Sequence, residues 1–313
     1  MATSGTTSFN ETLNDIIGDS FRKAGILGQG QSLTPQEYND GVRNLNRIVK
    51  KWQTAGHLRW KTGSVIVFPD TTRTTGQYVI GGANYDYCAL ESEIAYTKTT
   101  TNHILGATSI AVSSIANILD GDYIGIVQNN NFIFWTTVSG TPSGDTINLS
   151  DPLTYASLSG SWVYAFTNKA KKVLNVRAAM VSTAPNAQIA MIPMTVEEYQ
   201  YTIPNKGQLG QVYQYACQPM IDRTILYVWQ NPQNVQYIMQ LWCEFEIEDF
   251  VNPANTPDLP VEWLDPIVWT LAADLALEYG MPDNKYDRIY ARAQEEYQLL
   301  LRWDQEPISF VPS

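Results

Sequence analysis

Amphipathic helices stand at both ends of this chain, and none of them can be stable alone. Thr34-Pro35-Gln36-Glu37 reads as a helix start: a cap, a proline where no N–H partner is needed, and a glutamate that can bond back. Tyr38, Val42, Leu45, Ile48, Val49 and Trp52 follow at helical spacing, and Gly56 closes the run. An earlier box, Ser8-Phe9-Asn10-Glu11, precedes a stripe of Leu13, Ile16, Ile17, Phe21 and Ala24, ended by Gly25. At the other end Asp265-Pro266 reads as a start for Ile267, Val268, Leu271, Leu275 and Tyr279, stopped by Gly280 and Pro282. Asp283 then caps a stripe of Tyr286, Ile289, Tyr290, Ala293, Tyr297, Leu300 and Leu301. Each helix has an apolar face to bury. The economical fold is therefore α+β: a four-helix body made from both chain ends, with a β-rich middle and an inserted small β-barrel or sandwich.

The middle supports that division. Ser64–Pro69 and Gln77–Ile80 read as strands, as do 173–181, 187–192, 209–219, 223–229 and 235–247, with a short helix from Thr195 to near Pro204. Between Thr99 and Thr167 there is no Lys or Arg, and the acidic residues are Asp120, Asp122, Asp145 and Asp151. Strands at 109–112, 123–127, 132–138, 146–149 and 161–166 alternate there with turn residues, the pattern of a small module. The expected segments are helices at 8–60, a β connection at 61–98, the insert at 99–167, a β-rich part at 168–258, helices at 259–304, and an extended tail at 305–313.

Net charge is −11, which disfavours tight non-specific binding to a polyanion. Cys88, Cys217 and Cys243 are far apart and odd in number, so reduced thiols are expected rather than a disulfide framework or a zinc site. Met1–Ser8 lacks a basic region followed by an apolar run, so no secretion signal is expected. No stretch approaches the roughly 18 apolar residues of a membrane span.

Candidate chemistry is sparse. Cys243-Glu244-Phe245-Glu246-Ile247-Glu248 alternates acidic and apolar residues, which in a strand puts three carboxylates on one face. That is the raw material of a glycosidase pair, and equally of a solvated strand face. Asp120-Gly121-Asp122 lacks the remainder of a calcium loop and reads as a turn. The two histidines, His57 and His103, sit in no triad or metal pattern. Gly76–Gly82 lacks phosphate-loop spacing. No cofactor or metal is expected. The 9 Trp, 18 Tyr and 9 Phe suit interfaces, carbohydrate sites or a core equally.

The order of several motifs resembles a known family. Ala24-Gly25-Ile26, Thr34-Pro35-x-Glu37, Gly41, Leu45-Asn46 and Trp52…Gly56 are similar to the N-terminal signature of the head-to-tail adaptor proteins of short-tailed bacteriophages. Leu259-Pro260-x-x-Trp263, Leu271-Ala272, Leu275-Ala276-x-Glu278-Tyr279-Gly280, Ala293 and Asp304-x-Glu306-x-x-Ser309 resemble that family's end. Asp120-Gly121-Asp122-x-Ile124-Gly125-Ile126, Phe134–Val138, Leu153, Gly160 and Val163-Tyr164 resemble its insert.

The resemblance implies a non-enzymatic virion protein, assembled in the host cytoplasm and placed at the portal vertex. It would form a ring of twelve copies beneath the portal protein, extend the DNA channel, help retain the packaged genome until ejection and carry the tail. Double-stranded DNA would pass through without sequence-specific binding. Residues 260–313 carry ten acidic side chains against four basic ones, which suits a lumen that does not grip DNA. The tail Gln305, Glu306, Pro307, Ile308, Ser309, Phe310, Val311, Pro312 and Ser313 is the expected portal contact. In the insert, Phe132, Phe134, Trp135 and Trp162 are the expected contacts with the tail nozzle or tubular protein, or with fibres. Two alternatives are a virion-associated glycan hydrolase using Glu244, Glu246 or Glu248, and a carbohydrate-binding module in 99–167.

Overall fold

The computed structural model describes residues 11–28, 30–56, 59–82, 85–184, 187–254 and 256–303. In chain order, helices α1 (Leu13–Lys23) and α2 (Pro35–Thr54) precede strands β1 (Thr62–Val67), β2 (Gln77–Ile80) and β3 (Cys88–Leu90). The insert follows as β4 (Ala95–Lys98), β5 (Ser109–Ala111), β6 (Tyr123–Val127), β7 (Ile133–Thr137), β8 (Thr146–Asn148) and β9 (Trp162–Phe166). Next come β10 (Val173–Ala184), β11 (Ala187–Ala190), β12 (Ile192–Pro193), α3 (Val196–Thr202), β13 (Leu209–Gly210), β14 (Gln214–Pro219), β15 (Thr224–Trp229), β16 (Asn231–Pro232) and β17 (Met239–Phe245). Helices α4 (Val261–Glu278) and α5 (Asp283–Trp303) complete the fold, which is α+β. The chain divides into two compact units: a helical one up to Lys61 and from Ile247 onward, and a β-rich one from Thr62 to Glu246.

The helical unit joins α1, α2, α4 and α5 in one body, with α4 touching the other three. Its centre is Trp263, fully buried, with Trp52 at 5.5 Å and Trp60 at 5.6 Å, both edge-on. Phe21 meets Tyr279 edge-on at 5.6 Å. Gly41 lets α1 approach α2, since a Cβ there would sit 2.5 Å from the Ile17 methyl. The segment 247–251 is strapped to α2 by side chains that stand in for backbone. Asn46 donates to the Phe250 carbonyl (3.0 Å) and accepts from its N–H (2.9 Å), and Gln53 accepts from the Ile247 N–H (3.1 Å).

Helix boundaries correct three expectations. Thr34 and Glu37 form the expected capping box, but the first helix is capped by Thr12 with Asp15; Ser8 to Asn10 lie outside the described residues. Asp265-Pro266 is not a start. α4 begins at Val261 behind Pro260, and Pro266 lies buried in its second turn. A proline there forgoes a bond to the Glu262 carbonyl, a loss that α4 tolerates because its apolar face is so thoroughly buried. Asp283 is the first helical residue of α5, and the carbonyl of Pro282 accepts from Lys285 and Tyr286 (2.9 and 3.1 Å).

The β-rich unit contains a sandwich and the insert. A five-stranded sheet, β11-β10-β17-β1-β3, faces a four-stranded one, β12-β14-β15-β2. Val65, Val67, Leu241, Cys243, Leu226 and Val228 fill the space between them. Three expected strands differ: 187–192 divides between the two sheets as β11 and β12. Residues 209–219 split, because Leu209-Gly210 leaves to pair in parallel with Asn231-Pro232. Pairing of 235–247 is confined to 239–245.

The insert is sandwich-like rather than a closed barrel. Sheet β4-β9-β6-β7 faces the pair β5-β8 across Ile110, Ile147, Ile124, Ile126 and Val163. The two sheets touch along their sides only at single bridges, Thr99–Val112 and Val138–Leu149.

Replacing Trp263 by Ala should destabilise the helical unit by about 3–5 kcal/mol. Trp263→Phe should cost far less, because the indole N–H has no hydrogen-bond partner. Urea unfolding checks both, and equal losses would contradict the reasoning. In the β-rich unit, burial raises the Cys88 thiol from its ordinary 9.0 to about 12, and Cys217 to about 11. Both are neutral in the fold, so their stabilisation is complete below pH 9 and is lost as pH rises towards 12. The thermal midpoint should fall above pH 9, and less steeply in Cys88→Ala.

Candidate functional site

The sequence points to aromatic residues of the insert, and the sheet decides which of them meet. Alternation along β9 and β6 puts Phe166, Tyr164, Tyr123 and Gly125 on one face. Trp135, opposite Gly125, shares it. This face packs on Ile66, Phe68, Tyr87 and Ala89 of the larger sandwich. Phe68 lies 5.0 Å from Trp135, 4.9 Å from Tyr164 and 6.0 Å from Phe166. Trp135 stacks on Tyr87 at 4.2 Å and 6°. Its other face covers Gly125, where a Cβ would lie 2.6 Å from the indole. Lys169 sits over Tyr87 and Tyr123 (4.1 and 5.1 Å) and donates to the Tyr85 carbonyl (2.6 Å). Burial lowers its pKa.

The seam is latched by Asn131, whose φ is 64°. Its amide donates to the Gln233 carbonyl (2.8 Å) and accepts from the Val235 N–H (3.3 Å), while its own carbonyl accepts from Thr71 (2.9 Å). Beside this latch a cleft of about 360 Å³ opens between the insert and the 68–73 and 86–87 segments. Phe132, Ile133, Phe134 and Trp135 line one wall, with Gln128, Asn130, Thr154 and Tyr155. Opposite stand Asp70, Arg73 and Asp86, and Arg73 is ion-paired with both carboxylates. The Asn130 amide has both polar atoms buried and without a hydrogen-bond partner.

Three of the four expected contact residues, Phe132, Phe134 and Trp135, thus line one cleft. Trp162 does not. It stands at the start of β9, two strands from β7, with Lys98 4.2 Å above its ring. Asn130 was not singled out by sequence. The tail residues Gln305 to Ser313 lie outside the described residues.

The carboxylate row is not a row. β17 ends at Phe245, so only Glu244 belongs to the strand. Glu244 pairs with Arg177 (2.5 Å) and Glu246 with Lys172 (2.6 Å). Glu248 lies in the helical unit and lines a separate recess of about 150 Å³. The Asp120-Gly121-Asp122 segment is a turn: Asp122 accepts from the Leu119 N–H and Asp120 from Gly140 (2.7 Å each). His103 accepts from the Ala111 N–H (3.1 Å), and His57 lies outside the described residues. Among the described residues no group of three or more His, Cys, Asp or Glu could hold a metal ion, and no helix is long and apolar enough to cross a membrane.

Neither a family model nor a curated protein matches this chain.

Gly125→Ala should cost about 1–3 kcal/mol through overpacking against Trp135. Combined with Trp135→Leu, its cost should shrink, because the clashing ring is gone. A double-mutant cycle by chemical denaturation measures the coupling, and simple additivity would contradict the contact.

Proposed function

We propose that this chain is a head-to-tail connector of a bacteriophage virion. It forms a ring, expected to hold twelve copies, beneath the portal protein, extends the DNA channel and offers a platform to the tail nozzle or fibres. It acts through shape and interface rather than through bond chemistry. The observation that carries this reading is the convergence of the motif residues that resemble the adaptor family. Trp52 and Trp263, more than two hundred positions apart in sequence, meet at 5.5 Å. Tyr279 of the C-terminal motif packs on Phe21, three residues before the N-terminal one. Asn46 of a third motif pairs with the backbone of Phe250.

Two further features suit a ring subunit. A head-to-tail contact needs two different patches on each copy. Large apolar side chains stand well exposed at separate places on the β-rich unit, among them Ile104 (76%), Tyr201 (91%) and Ile221 (97%). In α4 and α5, Glu262, Asp265, Asp274, Glu278, Asp283, Asp287 and Glu295 are all exposed. A lumen walled by such carboxylates repels the phosphate backbone and lets DNA slide.

Mass photometry of the purified chain, alone and with portal rings, tests the proposal. A twelve-copy layer on the portal is expected, and removal of residues 305–313 should abolish it without shifting the thermal midpoint. A chain that ignores the portal would overturn the connector reading. A tail-less chain that still binds would overturn the role of the tail alone.

A further inference from the structure

The cleft beside β7 has an unfinished wall. Ser150 donates its N–H to the Thr137 carbonyl (3.0 Å) on the side away from β6. On the β6 side, Val138 donates to the Asp122 carbonyl and Phe132 accepts from Gln128 (2.9 Å each). Backbone groups alternate sides along an antiparallel strand. The N–H and C=O groups of Ile133 and Trp135 therefore point the way Thr137 does, away from β6. Thr137 is covered by Ser150, but the neighbouring chain then departs. Asp151 is followed by Pro152, which has no N–H, and Leu153 already bonds to Ala107 (2.9 Å). Among the described residues no strand covers Ile133 and Trp135, and both line the cleft.

The orphaned amide of Asn130 stands in the same cleft. Two other asparagines show what such an amide pairs with in this molecule. Asn46 takes the N–H and the C=O of Phe250, and Asn131 takes the Val235 N–H and the Gln233 C=O. Asn130 lacks one donor and one acceptor, which is what a peptide group supplies. An unpaired strand edge asks for the same groups in a line.

We propose that this cleft binds an extended, apolar segment of another polypeptide by strand addition to β7, with Asn130 clasping one of the guest's peptide groups. Main-chain pairing supplies affinity, and the apolar lining beside the edge, Ile133 and Tyr155, selects an apolar side chain. At about 3.3 Å per residue the open edge takes three to four guest residues. Asp70 and Asp86 share Arg73, so the opposite wall keeps one net negative charge and disfavours an acidic guest. A saccharide fits less well: it needs an open aromatic face, and the indole of Trp135 is covered by Tyr87 on one face and Gly125 on the other. The inference stands whether or not the chain forms a ring.

The test uses the full chain as bait for a displayed library of random heptapeptides, then one enriched synthetic peptide in fluorescence anisotropy and hydrogen exchange. Enrichment of alternating apolar sequences is expected, with slowed amide exchange across residues 133–135 when the peptide binds. Methylating a central peptide nitrogen of the guest should weaken binding about tenfold or more, as loss of a buried main-chain bond does. Asn130→Ala should weaken it about as much while leaving the thermal midpoint unchanged or higher, since it removes an unpaired buried amide. Asn130→Asp keeps an acceptor, loses the donor and should also weaken it. No enrichment, binding without protection of 133–135, indifference to N-methylation, or binding of chito-oligosaccharides in place of peptides would each overturn the proposal.

Discussion

Trp135 lies flat against Tyr87 on one side and against a glycine on the other, and the union of the insert with the larger sandwich rests on that enclosure. A side chain at residue 125 would push the indole out, and Phe68 would lose one of the three rings it touches. Aromatic pairs contribute about 0.5–1.5 kcal/mol each beyond the area they bury. Several in one seam hold a module that has no continuous sheet in common with its host. Lys169, immediately after the insert, closes the seam with its cation over two of the rings. Its ammonium is harder to keep charged there, because the water that would solvate it has been displaced.

Where regular pairing fails, this molecule uses amide side chains as lengths of backbone. Asn46 and Gln53 hold an irregular segment against α2, and Asn131 ties a hairpin tip to the 233–235 turn. Each satisfies main-chain groups that have no strand or helix partner. Set beside them, the empty amide of Asn130 is an exception within a consistent practice.

Much of the architecture was legible because burial follows period. Most residues named by the stripes of α1, α2, α4 and α5 are buried or half-buried, although Tyr279 and Tyr290 stand exposed, and Gln77–Ile80 and Tyr123–Val127 are strands at the expected positions. The errors have physical sources. Pro266 suits a first turn by its fixed φ, yet a helix whose apolar face is deeply buried tolerates it one turn later. The alternation of Glu244, Glu246 and Glu248 is real in sequence, but alternation means a shared face only while the chain stays in a sheet, and β17 ends at Phe245. The cleft was half legible. Aromatic type flagged Phe132, Phe134 and Trp135, and the same type flagged Trp162, which the strand order places elsewhere. Nothing in sequence marks Asn130, since lacking a partner is a property of the surroundings.

The want of Lys and Arg from Thr99 to Thr167 has a consequence beyond electrostatics. Long cationic side chains carry about 1.5–2 kcal/mol of rotamer entropy each, forfeited when a surface is covered. A module dressed in Ser, Thr, Gly and short aliphatic residues has little of that freedom to lose. Whatever settles on the insert immobilises no lysine or arginine there, so modest contacts leave a larger net gain than the same contacts made on a lysine-rich face.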